Sequence, residues 1–286
     1  MASRCAPLAY LRQCAREREW EGVPSVTQLL NGTRFSWFKI KKDYAIEPDD
    51  RAFMIIGSAG HAVLESAGEE EARIITEKEI ALDGVKGTLD MIEIDSKSGK
   101  KFARLVSYKI VGSYKAALVM GIYTEKVPVV LANGDPLIVR GRQKFDTVVK
   151  CDPERADLEE YALQDNFYRL AWDAANKIKV KEMKLFLIVR DGKTRLSVDR
   201  GIPRNTYYTD MPFLKDIEVL TYFASKKSSL LQHLEADTVP PLCNDRETWH
   251  GRRCAEYCEV RDHCLAVGDN PHLQEVNNAE AAETNP

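Results

Sequence analysis

The sequence predicts an α/β fold: a mixed central sheet flanked by helices and closed at its C-terminal end by a cysteine-clamped module. Three observations predict it. Residues 85–94 and 102–108 are two runs of alternating apolar and polar residues separated by a Ser/Gly/Lys cluster at 96–101, the pattern of a hairpin of half-buried strands. Residues 153–181 carry the longest helical periodicity in the chain, with Asp and Glu crowding the first turn and Lys the last, as the helix dipole favours. Cys243, Cys254, Cys258 and Cys264 fall in one short window near the end of the chain, too compact for unrelated thiols. Strands followed by a long helix and a further strand are the alternation of an α/β core.

With 286 residues, 44% of them hydrophobic, the chain can bury one large core and carry a small appendage. The expected division is a core over residues 1–240, the cysteine module over 241–267, and a polar, disordered tail over 268–286. A net charge of −3 and a pI of about 6.0 exclude a global basic field, so contact with nucleic acid must use local patches. Candidates are Lys39, Lys41 and Lys42; Arg140, Arg142 and Lys144; and Arg252 with Arg253. No apolar run approaches the ~20 residues a membrane span needs, and the N-terminal stretch lacks the long apolar segment of a secretory signal. The expectation is a cytoplasmic protein with no membrane partner, whose seven cysteines are thiols or metal ligands instead of a disulfide framework.

Taken in order, residues 4–20 have helical spacing with many charges, and Cys5 and Cys14 read as ordinary helix thiols. Ser25 opens a short helix over 25–31 as its cap. Residues 57–71 place small residues before an apolar helix on which His61 and Glu65 share a face at i,i+4. In the hairpin that follows, the first strand carries Asp90 and the second ends on Ser107-Tyr108-Lys109. A carboxylate facing a polar-x-Lys triplet sets an oxygen ligand for a hard divalent cation beside an ammonium that can steady charge on a phosphate. Lys115, at the start of a short helix, is within reach of a phosphate. Residues 127–150 read as another hairpin around the turn at 133–136. Its second arm presents Arg140, Arg142 and Lys144 at period two, one basic face able to track a DNA backbone. On the long helix, Gln164 and Tyr168 share a face. Residues 184–190 suit a buried strand with 194–199 as its partner, and residues 210–235 resume a helical pattern. The four cysteines close a thiolate site for structural zinc or an iron–sulfur cluster, with His250 and His263 as alternative ligands. The pairs of C-x-x-C knuckles usual in zinc modules are absent.

Asp90 followed by a strand ending in Ser107-Tyr108-Lys109 resembles the core of the PD-(D/E)XK nuclease superfamily, and more narrowly its RecB-like branch, which includes CRISPR-associated and helicase–nuclease exonucleases. The G-x-x-x-H-x-x-L-E signature of that branch is matched by Gly57, His61, Leu64 and Glu65, and its Q-x-x-x-Y motif by Gln164 and Tyr168. The resemblance implies a restriction-endonuclease-like fold. It also implies a Mg²⁺ or Mn²⁺ site held by His61, Asp90 and the carbonyl of Tyr108, with imidazole favouring Mn²⁺. Lys109 would act on the attacking water or the developing charge, and Gln164 and Tyr168 would sit over the site. The family pattern has Asp or Glu where this chain has Ser107, so catalysis is expected to be impaired in this form, and an acid returned to position 107 to restore it. The alternative is an inactive DNA-binding or assembly protein on a nuclease fold. Cys254, Cys258 and Cys264 are similar to the C-terminal trio of the iron–sulfur members, with one extra residue between the first two. Gly32 and Thr33 fill the place of that branch's upstream cysteine, so Cys243 would be the fourth ligand of a four-iron four-sulfur cluster, with Zn²⁺ as the alternative. The implied partners are DNA ends or single strands and a helicase, recombination or adaptation protein, and the implied origin is bacterial, phage or archaeal.

Overall fold

The computed structural model describes residues 6–16, 19–68 and 72–268. Cys5 and the tail expected from 269 onward lie outside the described residues. Helices α1 (Leu8–Cys14), α2 (Val26–Leu30), α3 (Thr33–Lys41) and α4 (Ala52–Gly68) precede strands β1 (Ile74–Leu82), β2 (Val85–Lys97) and β3 (Lys100–Val111). Helix α5 (Ser113–Val119) leads to an arm built on β4 (Ile122–Pro128), β5 (Ile138–Val139), β6 (Arg142–Gln143) and β7 (Phe145–Cys151). The chain then runs through α6 (Glu159–Ala175), β8 (Val180–Val189), α7 (Arg195–Asp199), β9 (Thr206–Asp210), α8 (Asp216–Glu235) and α9 (Arg261–Val267). The main sheet has the order β1-β2-β3-β8-β9, with β3 and β8 parallel and the other pairs antiparallel. The fold is mixed α/β: a five-stranded mixed sheet flanked by helices. Among the described residues no helix is long and apolar enough to cross a membrane.

Local chemistry accounts for much of this. Ser25 caps α2 with a full capping box: its side chain accepts from the Gln28 N–H, and the Gln28 side chain accepts from the Ser25 N–H. Strands β2 and β3 bury Ile92 opposite Leu105 on one face and Met91 opposite Val106 on the other. Helix α6 lies under the sheet with Phe167, Tyr168, Ala171 and Trp172 buried, and Phe167 meets Phe223 of α8 at 4.6 Å between ring centroids. Asn166 braces the approach to α8 by bonding Pro212 O and the Leu214 N–H.

Several expectations are corrected. The helix expected over 4–20 is confined, among the described residues, to Leu8–Cys14. Residues 194–199 are not the partner of β8: Thr194 accepts from the Ser197 N–H and starts the short helix α7, and the partner is β9. Helix α6 is shorter than 153–181, because Asp152 caps a separate turn at Pro153–Arg155 and Val180 already belongs to β8. Nor do Arg140, Arg142 and Lys144 share a strand face. Arg140 (φ 51°) and Gly141 (φ 75°) form the tight turn between β5 and β6, a conformation that two-residue hairpins demand. Arg142 alone lies in a strand, and Lys144 faces Asp146 at 3.9 Å. The turn expected at 133–136 is present, with Gly134 at φ 89°.

Candidate active site

The site forms where three strands of the sheet meet α4 and α6. The β2–β3 ladder starts at Met91–Val106, and Asp90, just before it, meets β3 through its carboxylate, which accepts from the Tyr108 N–H. The β1–β2 register, which pairs Thr76 with Met91 and Lys78 with Leu89, sets Glu77 across from Asp90. Glu77 is thereby set beside Asp90, and Ser107 turns its Oγ to Asp165 of α6. Lys109, two residues after Ser107, points the same way. Glu77 has φ 43°, strained for a residue with a Cβ, and strain of this kind collects at functional positions.

Helix α4 brings His61 against Glu77 and Asp90. It can approach because residue 60 is glycine; a Cβ there would run into the Ile110 side chain of β3. His61 Nδ1 lies 3.1 Å from Glu77 Oε1 and 3.8 Å from Asp90 Oδ1. One ligand atom from each of His61, Glu77 and Asp90 falls within 4.8 Å of the others. One imidazole and two carboxylates at this separation fit a single divalent cation of the Mn²⁺ or Mg²⁺ kind. Asp90 is buried, and the Tyr108 N–H donates to its Oδ2 at 2.7 Å, which fixes the carboxylate with Oδ1 toward His61. Lys109 Nζ stands 3.7 Å from the same Oδ2. The Tyr108 ring packs edge-on to His61 and Phe186, and burial pushes its hydroxyl up to about 12.

From α6, Gln164 Nε2 donates to the Tyr168 hydroxyl at 2.9 Å, and both are buried. Gly87 of β2 admits the Tyr168 ring, since a Cβ there would come within 2.7 Å of it. Asp165, the next residue, is fully buried and accepts a 2.7 Å hydrogen bond from Ser107 Oγ. Burial pushes its carboxyl up to about 7, with Asp90 raising it further and the Ser107 hydrogen bond and Lys109 opposing. The folded chain thus keeps a proton that the unfolded chain releases above about pH 3.9. This contribution to stability is whole below that pH and is lost as the pH rises toward about 7. Asp165→Asn removes the ionisation, so in metal-free protein it should raise the melting temperature at about pH 8 and do so much less at about pH 5, as read by calorimetry.

Of the sequence-predicted residues, the fold brings together His61, Asp90, Ser107, Tyr108, Lys109, Gln164 and Tyr168. Lys115 is tied to Asp157 at 2.7 Å and lies over the Tyr161 ring. Of the basic residues of the arm only Arg142 lies in a strand, on the separate two-stranded β5–β6 sheet. Two acids escaped the sequence reading, Glu77 and Asp165. Glu77 carried a faint signal in the alternation of 74–82; Asp165 carried only its place beside Gln164.

Cys243, Cys254, Cys258 and Cys264 line one cavity with Arg34, Phe35, Phe38 and Val260. His250 and His263 are not among its lining residues: His250 pairs with Asp245, and His263 stacks on Phe38 and bonds Asp43 O. A Cβ on Gly32 would overlap Cys243 Sγ, so the Cys243 sulfur stands where a side chain at position 32 would be. No three of the four sulfurs come within 4.8 Å of one another, whereas a single tetrahedral zinc draws its thiolates to about 3.8 Å. The cavity, about 30 Å³, would in turn have to widen for a cluster. Burial pushes the Cys258 thiol up to about 11 and raises that of Cys243, with Arg253 opposing in both cases. Four converging thiols with a buried arginine among them suit an anionic thiolate-ligated group. Cys14, by contrast, is an isolated buried thiol facing Pro48 O.

No protein-family profile matches the chain, and no curated protein matches it. Among solved structures it is similar to the crystal structure of SSO0001, at 18% identity over 90% of this chain and 93% of that one, with a TM-score of 0.44. That likeness is too distant to assign a fold family.

Proposed function

We propose that this chain is a metal-dependent DNA nuclease of the RecB-like PD-(D/E)XK kind, with a restriction-endonuclease-like core, acting as an exonuclease on DNA ends or single strands. The observation that carries the reading is the convergence of His61, Glu77 and Asp90, with Lys109 beside Asp90. A divalent cation held by those three residues would supply Lewis-acid polarisation of the phosphoryl group. The protein's own contribution is positional and electrostatic. Asp90 is oriented by the Tyr108 N–H, and Lys109 is held beside it with an ammonium free to turn toward a phosphate oxygen. As water attacks phosphorus and the bond to the sugar oxygen breaks, negative charge grows on the non-bridging oxygens, and Lys109 is placed to meet it. Gln164 and Tyr168 fix each other over the site and present an amide and a phenol edge to the strand. The reaction class is tested by incubating the purified protein with end-labelled DNA and Mg²⁺ or Mn²⁺: cleavage that chelation abolishes supports it.

The same reading gives the four cysteines a four-iron four-sulfur cluster, with zinc as the alternative that metal analysis separates. Its support is the pairing of Cys243 with Gly32. The upstream cysteine expected in iron–sulfur members falls at residues 32–33, and the space beside Gly32 is filled by a cysteine from elsewhere in the chain. Such a cluster would clamp the C-terminal module to α3 and shares no residue with the hydrolytic site.

A further inference from the structure

We propose that Asp165, carried on α6, supplies the negative charge that the strand position 107 does not, holding water around the cation beside Asp90, with Ser107 as its seat. This inference rests on the nuclease reading of the site. Ser107 lies on β3 two residues before Lys109, and its Oγ donates to Asp165 Oδ1 at 2.7 Å. A carboxylate oxygen therefore sits within one hydrogen bond of where a side chain at 107 ends.

The second oxygen gives the argument its direction. Asp165 Oδ2 is buried and has no hydrogen-bond partner among the described residues. A buried carboxylate with an idle oxygen is costly, and a side chain present only to brace Ser107 would do so more cheaply as asparagine. The charged groups that act on it are Lys109 and Asp90, both of the candidate site. Asp165 is not part of the close group formed by His61, Glu77 and Asp90. The role that fits is a positioning one: Oδ1 is held by Ser107, and Oδ2 accepts from a water of the cation's shell, which Mg²⁺ in particular retains. Helix α6 thus delivers three functional side chains to the site, Gln164, Asp165 and Tyr168.

The test compares four full-length proteins: the wild type, Asp165→Asn, Ser107→Asp, and the double variant Ser107→Asp/Asp165→Asn. Mn²⁺ binding is followed by the electron paramagnetic resonance of the free ion, and Mn²⁺-dependent cleavage on the same samples. Asp165→Asn should weaken Mn²⁺ binding and slow cleavage by about 10- to 100-fold each, while its thermal melt shows that it is folded. Ser107→Asp alone should be no better than the wild type, because it sets two carboxylates against each other in a buried space. The double variant, with one carboxylate returned to the strand, should recover most of what Asp165→Asn loses. A structural brace would not produce that reciprocal rescue. Wild-type Mn²⁺ affinity in Asp165→Asn, or a double variant no better than Asp165→Asn, would overturn the proposal. If the wild type binds Mn²⁺ but cuts no DNA, the nuclease reading falls, and the binding comparison still decides the role of Asp165. If it binds no Mn²⁺, both fall.

Discussion

Protein purified without oxygen should be brown, with broad visible absorption and iron at about four atoms per chain. Cys254→Ala should lose both the colour and the fold. The effect is large because a closed thiolate site couples metal binding to folding, with apparent binding energies on the order of 10 kcal/mol in small zinc modules, comparable to the whole stability of a domain. Cys254 and Cys264 are buried, and the polypeptide around them is held by turns, a π-helical turn at Arg253–Tyr257 and the short helix α9, so little else would order it. Cys14→Ala is the control: that thiol lies against Pro48 O, away from the cavity, and its loss should leave the colour unchanged. Colourless protein carrying about one zinc per chain would replace the cluster with the smaller ion.

Asp90→Ala should abolish cleavage while leaving DNA binding almost intact. Asp90 is one of three residues whose ligand atoms converge, it accepts from the Tyr108 N–H, and it stands beside Lys109. Removing it takes away a metal ligand and the anchor of the lysine together. A fall of about a thousandfold or more corresponds to about 4 kcal/mol of barrier. DNA affinity rests on basic side chains and shape, as phosphate contacts generally do, so its salt dependence should not change. Equal cleavage by Asp90→Ala and the wild type, measured in single-turnover assays with Mn²⁺, would remove Asp90 from the chemistry.

The sequence disclosed what local pattern controls. The β2–β3 hairpin, the Ser25 cap and the Gln164–Tyr168 pair each follow from spacing within a dozen or so residues, and each is present. Glu77 was hidden because β1 exposes much of its length, so its alternation is weak, and because the residue matters only through its register with Asp90. Asp165 was hidden for a different reason. An acid on a helix usually faces water, but α6 is buried on several sides, and tertiary packing carries the carboxylate inward to Ser107. Position 107 read alone indicates a missing acid; the fold sets the Asp165 carboxyl one hydrogen bond away from it. Position 32 repeats the lesson, since Cys243 comes from more than two hundred residues away to fill the space beside Gly32. The tip of the arm failed for lack of turn recognition: Arg140-Gly141 looked like strand by alternation but adopts positive φ at both residues.

The central claim is that this sequence, with serine at 107, hydrolyses DNA at the His61–Glu77–Asp90 centre. The measurement that tests it most directly is the cleavage of end-labelled single-stranded, double-stranded and frayed DNA by the wild-type protein, with Mg²⁺, with Mn²⁺ and with chelator. The account predicts shortened products in the presence of either metal, none with chelator, and none from His61→Ala. DNA that is bound but left whole under every one of these conditions would contradict it, and would leave a DNA-binding scaffold in place of an enzyme.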